Sequence, residues 1–443
     1  MKQLSLIIIL LFTLLSVAGQ SSAEIDRKTY ELYQEGKWKE LTEYYRKQVD
    51  PAKVDFYYLR MRVGIAWYEQ ENYFNAIPHF QKAMRFNSNP VVKEYLFYSY
   101  LYTGKHKRAN MLYRSMKQDQ KNELSKPDNS FFQNLSFEYG LNISDAFEKN
   151  GVMNFIDEDK IYGEAPFVGN TRYWNVSLHH QIGDAVSVKH GISSFNIQNK
   201  MKFCLSNEDE MVVPFEIDQT DYYFNVNVQT LNSSMLSLAL HTLSVDYMMP
   251  GMQFDGINYI LTNTEVTLND YLFYASWGKY VGNVFASVGA SASSINEGNQ
   301  QQFDMEMSWM PLGNYSVIPA LKLSYYQQQE SEYTEKQQEW LLTPAVSFSL
   351  TEDLWLNTSY TFGDIYQYHE QKGFVVYNNP DRISRKAESV IQYALSKSLS
   401  LSLSYRYQKR EGKALIYADE NTIEEKILNF TTHYIIGGIV WKL

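Results

Sequence analysis

From residue 130 onward the chain alternates apolar and polar residues with a period of two. Leu135, Phe137, Tyr139, Leu141 and Ile143 are interleaved with Asn134, Ser136, Glu138, Gly140 and Asn142. The pattern returns at Trp174–Leu178, Tyr222–Val228, Phe303–Trp309, Trp340–Phe348, Leu354–Phe362 and Leu399–Tyr407. Successive side chains of a strand point to opposite faces, so each run is a strand with one apolar and one polar face. A helix cannot sort residues this way. The region from residue 126 to residue 443 therefore folds as antiparallel β-structure.

Two architectures suit many such strands: a soluble sandwich and a membrane barrel. The connections separate them. Short links near Gly183-Asp184, Asn232-Ser233, Lys279–Asn283, Pro311–Asn314, Thr351–Asp353 and Ser396–Ser398 alternate with long ones over about 144–171, 198–218, 248–263, 294–301, 328–337, 363–384 and 409–425. Membrane barrels have short turns at one end and long loops at the other, whereas a sandwich has no reason to sort its links. Seven long links and six short ones join fourteen strands. Twelve or sixteen stay open, because Glu265–Gly278 fits either parity. In the last strand Phe430, Tyr434 and Ile436 lie on one face while Ile439, Trp441 and Leu443 lie on the other, which a bulge at Gly437-Gly438 would reconcile. Composition agrees with a barrel. Aromatic residues make up 15%, with 36 Tyr, and such rings suit the boundary between water and lipid. The mean hydropathy of −0.39 fits a barrel, because half of every strand faces the lumen.

The N-terminus reads as an export signal, residues 1–23. Met1-Lys2 precedes an apolar run from Leu4 to Val17, too short to span a bilayer, and small residues such as Ser21-Ser22-Ala23 follow. The net charge of −10 argues against nucleic acid as a partner. The one cysteine, Cys204, excludes an internal disulfide and any Cys-rich metal site.

Residues 24–125 have helical periodicity. Gly64, Trp67, Ala76, Phe80 and Ala83 lie within Tyr57–Pro90 at the spacings where small and aromatic residues pack two helices. Tyr100, Ala109, Tyr113 and Met116 repeat the pattern, and Leu32, Trp38, Leu41 and Tyr45 give a weaker earlier unit. These residues resemble tetratricopeptide repeats, three in number, although Arg60 stands where that repeat prefers Trp. The resemblance implies a concave groove lined by Tyr30, Tyr33, Tyr58, Met61, Ile65, Tyr68, Tyr98, Leu101 and Tyr102, suited to a periplasmic protein or polysaccharide partner. The same residues also suit packing between repeats. A polar linker with one proline, residues 117–129, follows.

The last six residues resemble the C-terminal signal read by the barrel assembly machinery: Gly438, then Trp441 and Leu443 at the third-last and last places. Leu443 replaces the usual Phe or Trp.

No metal spacing, phosphate loop or nucleophile elbow is present, so no cofactor and no catalytic residues are expected. His179 and His180 are neighbours in a strand and point to opposite faces. The lumen-facing charges Glu138, Asp304, Glu306, Lys322, Lys386, Glu388 and Arg406 either set pore selectivity or pair across a packed lumen.

The order of export signal, repeats and barrel is similar to the polysaccharide export porins for poly-N-acetylglucosamine and cellulose. It is also similar to the surface lipoprotein assembly modulators. That likeness implies an outer-membrane protein, in contact with outer-membrane lipid, whose periplasmic repeats recruit a substrate or partner for transport, export or assembly at the barrel. The alternative is a non-conducting scaffold that anchors an interaction module in an envelope complex.

Overall fold

The computed structural model describes residues 21–124, 130–152, 156, 160–205, 209–230, 233–256, 258–329, 337–418 and 422–443. Most of the expected export signal, and residues 125–129 of the expected linker, lie outside them. The chain divides into two compact units, one holding the N-terminal helices and one the strands.

Seven helices are described in the first unit: α1 Ser22–Gln34, α2 Trp38–Gln48, α3 Tyr57–Glu69, α4 Tyr73–Phe86, α5 Pro90–Tyr102, α6 His106–Arg114 and α7 Gln118–Glu123. The short α7 occupies part of the stretch expected to be linker. Polar caps start three of the helices, and Ser21 accepts from the Glu24 amide (3.2 Å) at α1. Asn72 accepts from the Asn75 amide (3.3 Å), and Asn89 from the Val92 amide (3.1 Å) just ahead of Pro90. Gly36 and Gly104 follow α1 and α5 at φ +64° each, a conformation that costs glycine little. A close approach joins α3 to α4. A Cβ on Gly64 would stand 2.6 Å from the Phe80 ring, which is fully buried and stacks on Tyr95 at 5.3 Å.

Arg60 is buried beside this junction. Its Nε donates to Asp55 (2.5 Å) and its Nη1 to the Tyr45 hydroxyl (2.6 Å), so the buried cation has two partners. His79 lies beside it. Burial, reinforced by the Arg60 charge, pulls the His79 imidazole from its ordinary 6.5 down to about 3. The folded unit therefore holds this ring neutral, while the unfolded chain protonates it. That contribution is complete above 6.5 and is lost as the pH falls towards 3. The helical melting temperature, followed at 222 nm, is expected to drop across that window. His79→Gln should flatten the drop.

The second unit is a closed barrel. In chain order its strands are β1 Phe132–Ser144, β2 Tyr162–Phe167, β3 Thr171–Ile182, β4 Val186–Leu205, β5 Glu210–Gln229, β6 Ser234–Phe254, β7 Tyr259–Val281, β8 Val284–Ser293, β9 Asn299–Trp309, β10 Val317–Gln329, β11 Gln337–Ser349, β12 Leu354–Thr361, β13 Tyr368–Glu370, β14 Val375–Tyr377, β15 Arg382–Ala394, β16 Leu399–Tyr417 and β17 Ile423–Lys442. A short helix, α8 Ala146–Asn150, follows β1. Fourteen strands form the wall, and β1 closes it by pairing with both β3 and β17. Turns of few residues connect the wall strands at one end. At Gly282-Asn283 the glycine takes φ +60°, as a two-residue hairpin turn requires.

The apolar face of the dyad points outward. Leu135, Phe137, Tyr139, Leu141 and Ile143 are all exposed, as are Phe303, Met305, Met307 and Trp309. Glu265–Gly278 takes one parity throughout: Tyr271, Phe273 and Trp277 face out, while Leu272 and Tyr274 face in. The last strand has no bulge. Its register against β1 and β16 runs unbroken through Gly437 and Gly438. Ile435, Ile439, Trp441 and Leu443 are exposed on the outer face, and Phe430 is buried inside. Two apolar faces exist there because the inside of the strand is apolar as well.

Three of the expected long links, 198–218, 248–263 and 409–425, are mostly strand. β4 to β7 run 20 to 23 residues, against the ~9–11 that cross a bilayer. The faces exchange character along these strands. On β5, Tyr222, Phe224 and Val226 face out while Asp221, Asn225 and Asn227 face in; further on, Glu216 and Asp218 face out while Phe215 and Ile217 face in. The exchange follows the row Ile192–Tyr222–Thr242–Tyr271, which is set by the strand register. Beyond it the strands form a water-facing sheet with its own core. There β2 pairs with both β4 and β16, past the ends of β3 and β15. One apolar cluster gathers around Tyr162, Met201, Phe203 and Phe215, and another around Cys204, Phe167, Ile416 and Phe430.

Candidate functional site: the lumen and its hairpin

The link after β12 folds into the barrel. Its two short strands, β13 and β14, pair as a hairpin (Tyr368↔Tyr377, Glu370↔Val375) and are largely buried within the lumen. Backbone groups of a loop drawn into a barrel must find partners there, and the wall supplies them. Gln302 Nε2 donates to the His369 carbonyl (3.0 Å), the Gly373 carbonyl lies 2.7 Å from His241 Nδ1, and Gln300 reaches the Gln367 carbonyl. The Tyr368 hydroxyl meets Lys322 (3.1 Å) and Ser324 (2.9 Å), and the Tyr326 hydroxyl donates to the Asp364 carbonyl (2.9 Å). Lys372 donates to Asn227 (3.0 Å) and Asn378 to Gln219 (2.9 Å). Together with Ser291 and Lys386, these groups come from β5, β6, β8, β9, β10 and β15.

Asp304, Lys322, Lys386, Glu388 and Arg406 lie on the inward side of their strands and gather around this hairpin, with Glu138 and Glu306 further along the inner wall. Glu370, on the hairpin, is ion-paired with Lys386 and also accepts from the Tyr377 hydroxyl at 2.9 Å. Lys386 lies 3.6 Å from Glu388, and Glu388 accepts from Arg406 at 3.0 Å. Lys322 pairs with Asp304 at 3.3 Å. Glu138 accepts from the Tyr173 hydroxyl (3.0 Å). Glu306 stands opposite Lys322 in the register and is exposed to open space in the lumen. Glu370, His369 and Tyr368 were not among the candidates. A Tyr-His-Glu run followed by Val-Val-Tyr inside a long polar link was the available signal.

Space remains on both sides of the hairpin. A cavity of about 370 Å³ lies towards the short turns, lined by Ser237, Ser287, Glu306, Lys322, Lys372 and Glu388. Another of about 360 Å³ runs between the hairpin and the β1–β3–β4 and β16–β17 wall, where Glu138, Tyr173, Arg406, Tyr434 and Ile436 face Phe374 and Val376. Glu388 lines both. A vestibule of about 710 Å³ opens at the far end between Glu164, Glu339, Arg382 and Lys413.

Ser291 Oγ lies 2.5 Å from His369 Nε2, the separation of a nucleophile and its base. His369 is fully buried, and among the described residues its Nδ1 has no hydrogen-bond partner. The group that orients the base in a nucleophilic triad is therefore missing from this pair. His179 and His180 point apart, towards Asn134 (3.3 Å) and His190 (3.0 Å).

In the helical unit the predicted groove residues fall into two patches and a buried remainder. Tyr68, Tyr98 and Tyr102 gather with Tyr73 and Tyr95, with ring separations of 4.7 Å for Tyr73–Tyr102, 5.0 Å for Tyr68–Tyr95 and 6.0 Å for Tyr98–Tyr102. Burial pushes the Tyr68 hydroxyl up, and the Tyr73 hydroxyl up to about 12, so both stay neutral donors. Tyr30 and Tyr58 flank the Arg62 guanidinium at 5.0 and 5.7 Å. Tyr33 packs on Trp38 at 5.6 Å, and Leu101 is half-buried against the core. Met61 and Ile65, expected to line the groove, are 6% and 7% exposed and are core residues, because α3 turns that face onto α4 and α5. Trp441 and Leu443 lie on the outer face, while a Cβ on Gly438 would stand 2.4 Å from Ser402 Oγ inside the wall.

No protein-family model and no curated protein matches the chain. Among solved structures it is similar to the Pseudomonas putida toluene transporter TodX, at 7% identity and a TM-score of 0.43 over 72% of this chain and 91% of that one. A Pseudomonas aeruginosa FadL homologue gives 7% identity and 0.42 over 71% and 90%. A bacterial polysaccharide outer membrane secretin gives 8% identity and 0.34 over 72% and 100%. Likenesses of this size carry nothing about activity, and the barrel is established by the chain's own strand order.

Proposed function

We propose that this chain is an outer-membrane transport protein whose lumen is gated by its own hairpin, with a periplasmic tetratricopeptide-like unit that recruits a substrate or partner. One observation carries the gate: a hairpin held to the wall by hydrogen bonds and ion pairs as well as by two apolar clusters, with open cavities towards the short turns and along its side. The outward apolar belt, ending at a row with Tyr222 and Tyr271, supports a membrane setting. The alternating link lengths put both ends of the barrel chain on the short-turn side, the periplasmic side by this reading. The tyrosine patch supports recruitment, because neutral phenol rings stack on sugar or peptide faces and donate hydrogen bonds.

The scaffold reading is favoured by a different observation, the number of wall strands the hairpin engages. Conductance separates the two. In planar bilayers the wild-type barrel is expected to open rarely. Glu370→Gln, which weakens the pair with Lys386, should raise the open probability several-fold. A barrel that stays silent with this substitution, and with the hairpin removed, is a scaffold. Deletion of residues 24–125 should leave conductance unchanged and abolish delivery of the exported or imported substrate.

A further inference from the structure

The outer wall carries a groove at the seam where the first and last strands meet. In the register, Leu401, Ile439 and Phe137 form one row. Leu403, Gly437 and Tyr139 form the next. Tyr405, Ile435, Leu141 and Arg172 form the third, furthest from the short turns. Every side chain of these rows faces outward. Gly437 supplies none, and a Cβ placed there would meet nothing within 4 Å. The result is an apolar trough of about 870 Å³, within the ~300–1,000 Å³ of small-molecule sites. Asn170, Arg172 and Gln198 line it at the end away from the turns. Arg172 is exposed, and its guanidinium forms no ion pair or hydrogen bond among the described residues.

From this we infer that the trough over Gly437 is a binding site for one acyl lipid of the surrounding bilayer, with its chain along Gly437 and an anionic phosphate headgroup on Arg172. The placement selects the ligand. An apolar trough in the bilayer belt takes a hydrocarbon chain, and an unpaired guanidinium at its outer end takes a phosphate with paired, charge-assisted hydrogen bonds. Arg172 meets Leu141 on one side and Asn196 on the other in the register, so no carboxylate stands directly beside it on either neighbouring strand. The site lies outside the lumen, so it stands or falls independently of the gate.

The test is native mass spectrometry of the full-length protein, titrated in detergent with dioleoyl phosphatidic acid and, separately, with dioleoylglycerol, which lacks the phosphate. One phosphatidic acid should be retained per barrel at collision energies that strip dioleoylglycerol. Arg172→Gln should weaken retention about tenfold. Gly437→Leu, which fills the trough, should weaken both lipids. Lys279→Gln, an exposed cation at the turn end, should change neither. Heat-modifiable migration on gels shows whether each variant has folded. If Gly437→Leu misassembles, Tyr139→Ala, which removes one wall of the trough, is expected to loosen the chain in its place. Equal retention of phosphatidic acid by wild type and Arg172→Gln, or by wild type and folded Gly437→Leu, would overturn the assignment.

Discussion

Replacing residues 366–379 by a short Gly-Ser linker is expected to turn a mostly silent barrel into a steadily conducting one. The hairpin fills much of the lumen against β5 to β10 and β15, and its removal is expected to join the cavity near the short turns to the one beside Tyr434 and to the vestibule. A fourteen-strand ring is wide enough for an aqueous path once nothing fills it. The deletion also strands Lys386, which keeps only Glu388 at 3.6 Å, and Lys322, which keeps Asp304 at 3.3 Å. Both would face water in the opened lumen, so the barrel should still fold. Single-channel recording checks the result, and residual closure would mean that the distal core around Phe203 and Phe430 seals the barrel instead.

Phe80→Ala is expected to unfold most of the helical unit while leaving the barrel intact. The ring is fully buried between Gly64 and Tyr95. Removing such a ring costs ~3–5 kcal/mol, because the cavity adds to the lost transfer energy. In a unit of this size that is a fall on the order of 15 °C or more in melting temperature. Circular dichroism at 222 nm should show an early helical transition, with the β signal unmoved. A shift of only a few degrees would show that the helices repack around the gap.

The barrel was legible because its membrane-facing strands keep one parity, as in Leu135–Ile143 and Phe303–Trp309. Several short turns were equally plain, since they carry Gly, Asn or Asp, as at Gly183-Asp184 and Gly282-Asn283. The distal strands were not. Val213, Phe215 and Ile217 are apolar on the opposite parity to Tyr222, Phe224 and Val226, and a strand that changes faces reads as a loop. The lumen-facing charges could be found from parity alone. The hairpin that meets them could not, because nothing local in Tyr368–Tyr377 says that a loop turns inward. That placement comes from partners up to 159 residues away, as with Asn378 and Gln219. The helical core was read in part. Spacing found Gly64 and Phe80, but Met61 and Ile65 needed the packing angle of α3 to be recognised as interior.

The row from Ile192 through Tyr222 and Thr242 to Tyr271 has a consequence for how deep the protein sits. A helix in a bilayer is positioned by the length of its apolar run and can slide by a residue or two at small cost. Here a single strand is apolar outward on one side of the row and apolar inward on the other. Sliding it one residue against its neighbours would put Phe215 and Ile217 into water and Asp218 into the core, and at the same time turn Tyr222 and Phe224 into the lumen. Sinking the whole barrel would carry Glu216, Asp218 and Asp246 into hydrocarbon. The immersion depth is thus written as a change of phase, enforced from both solvents at once.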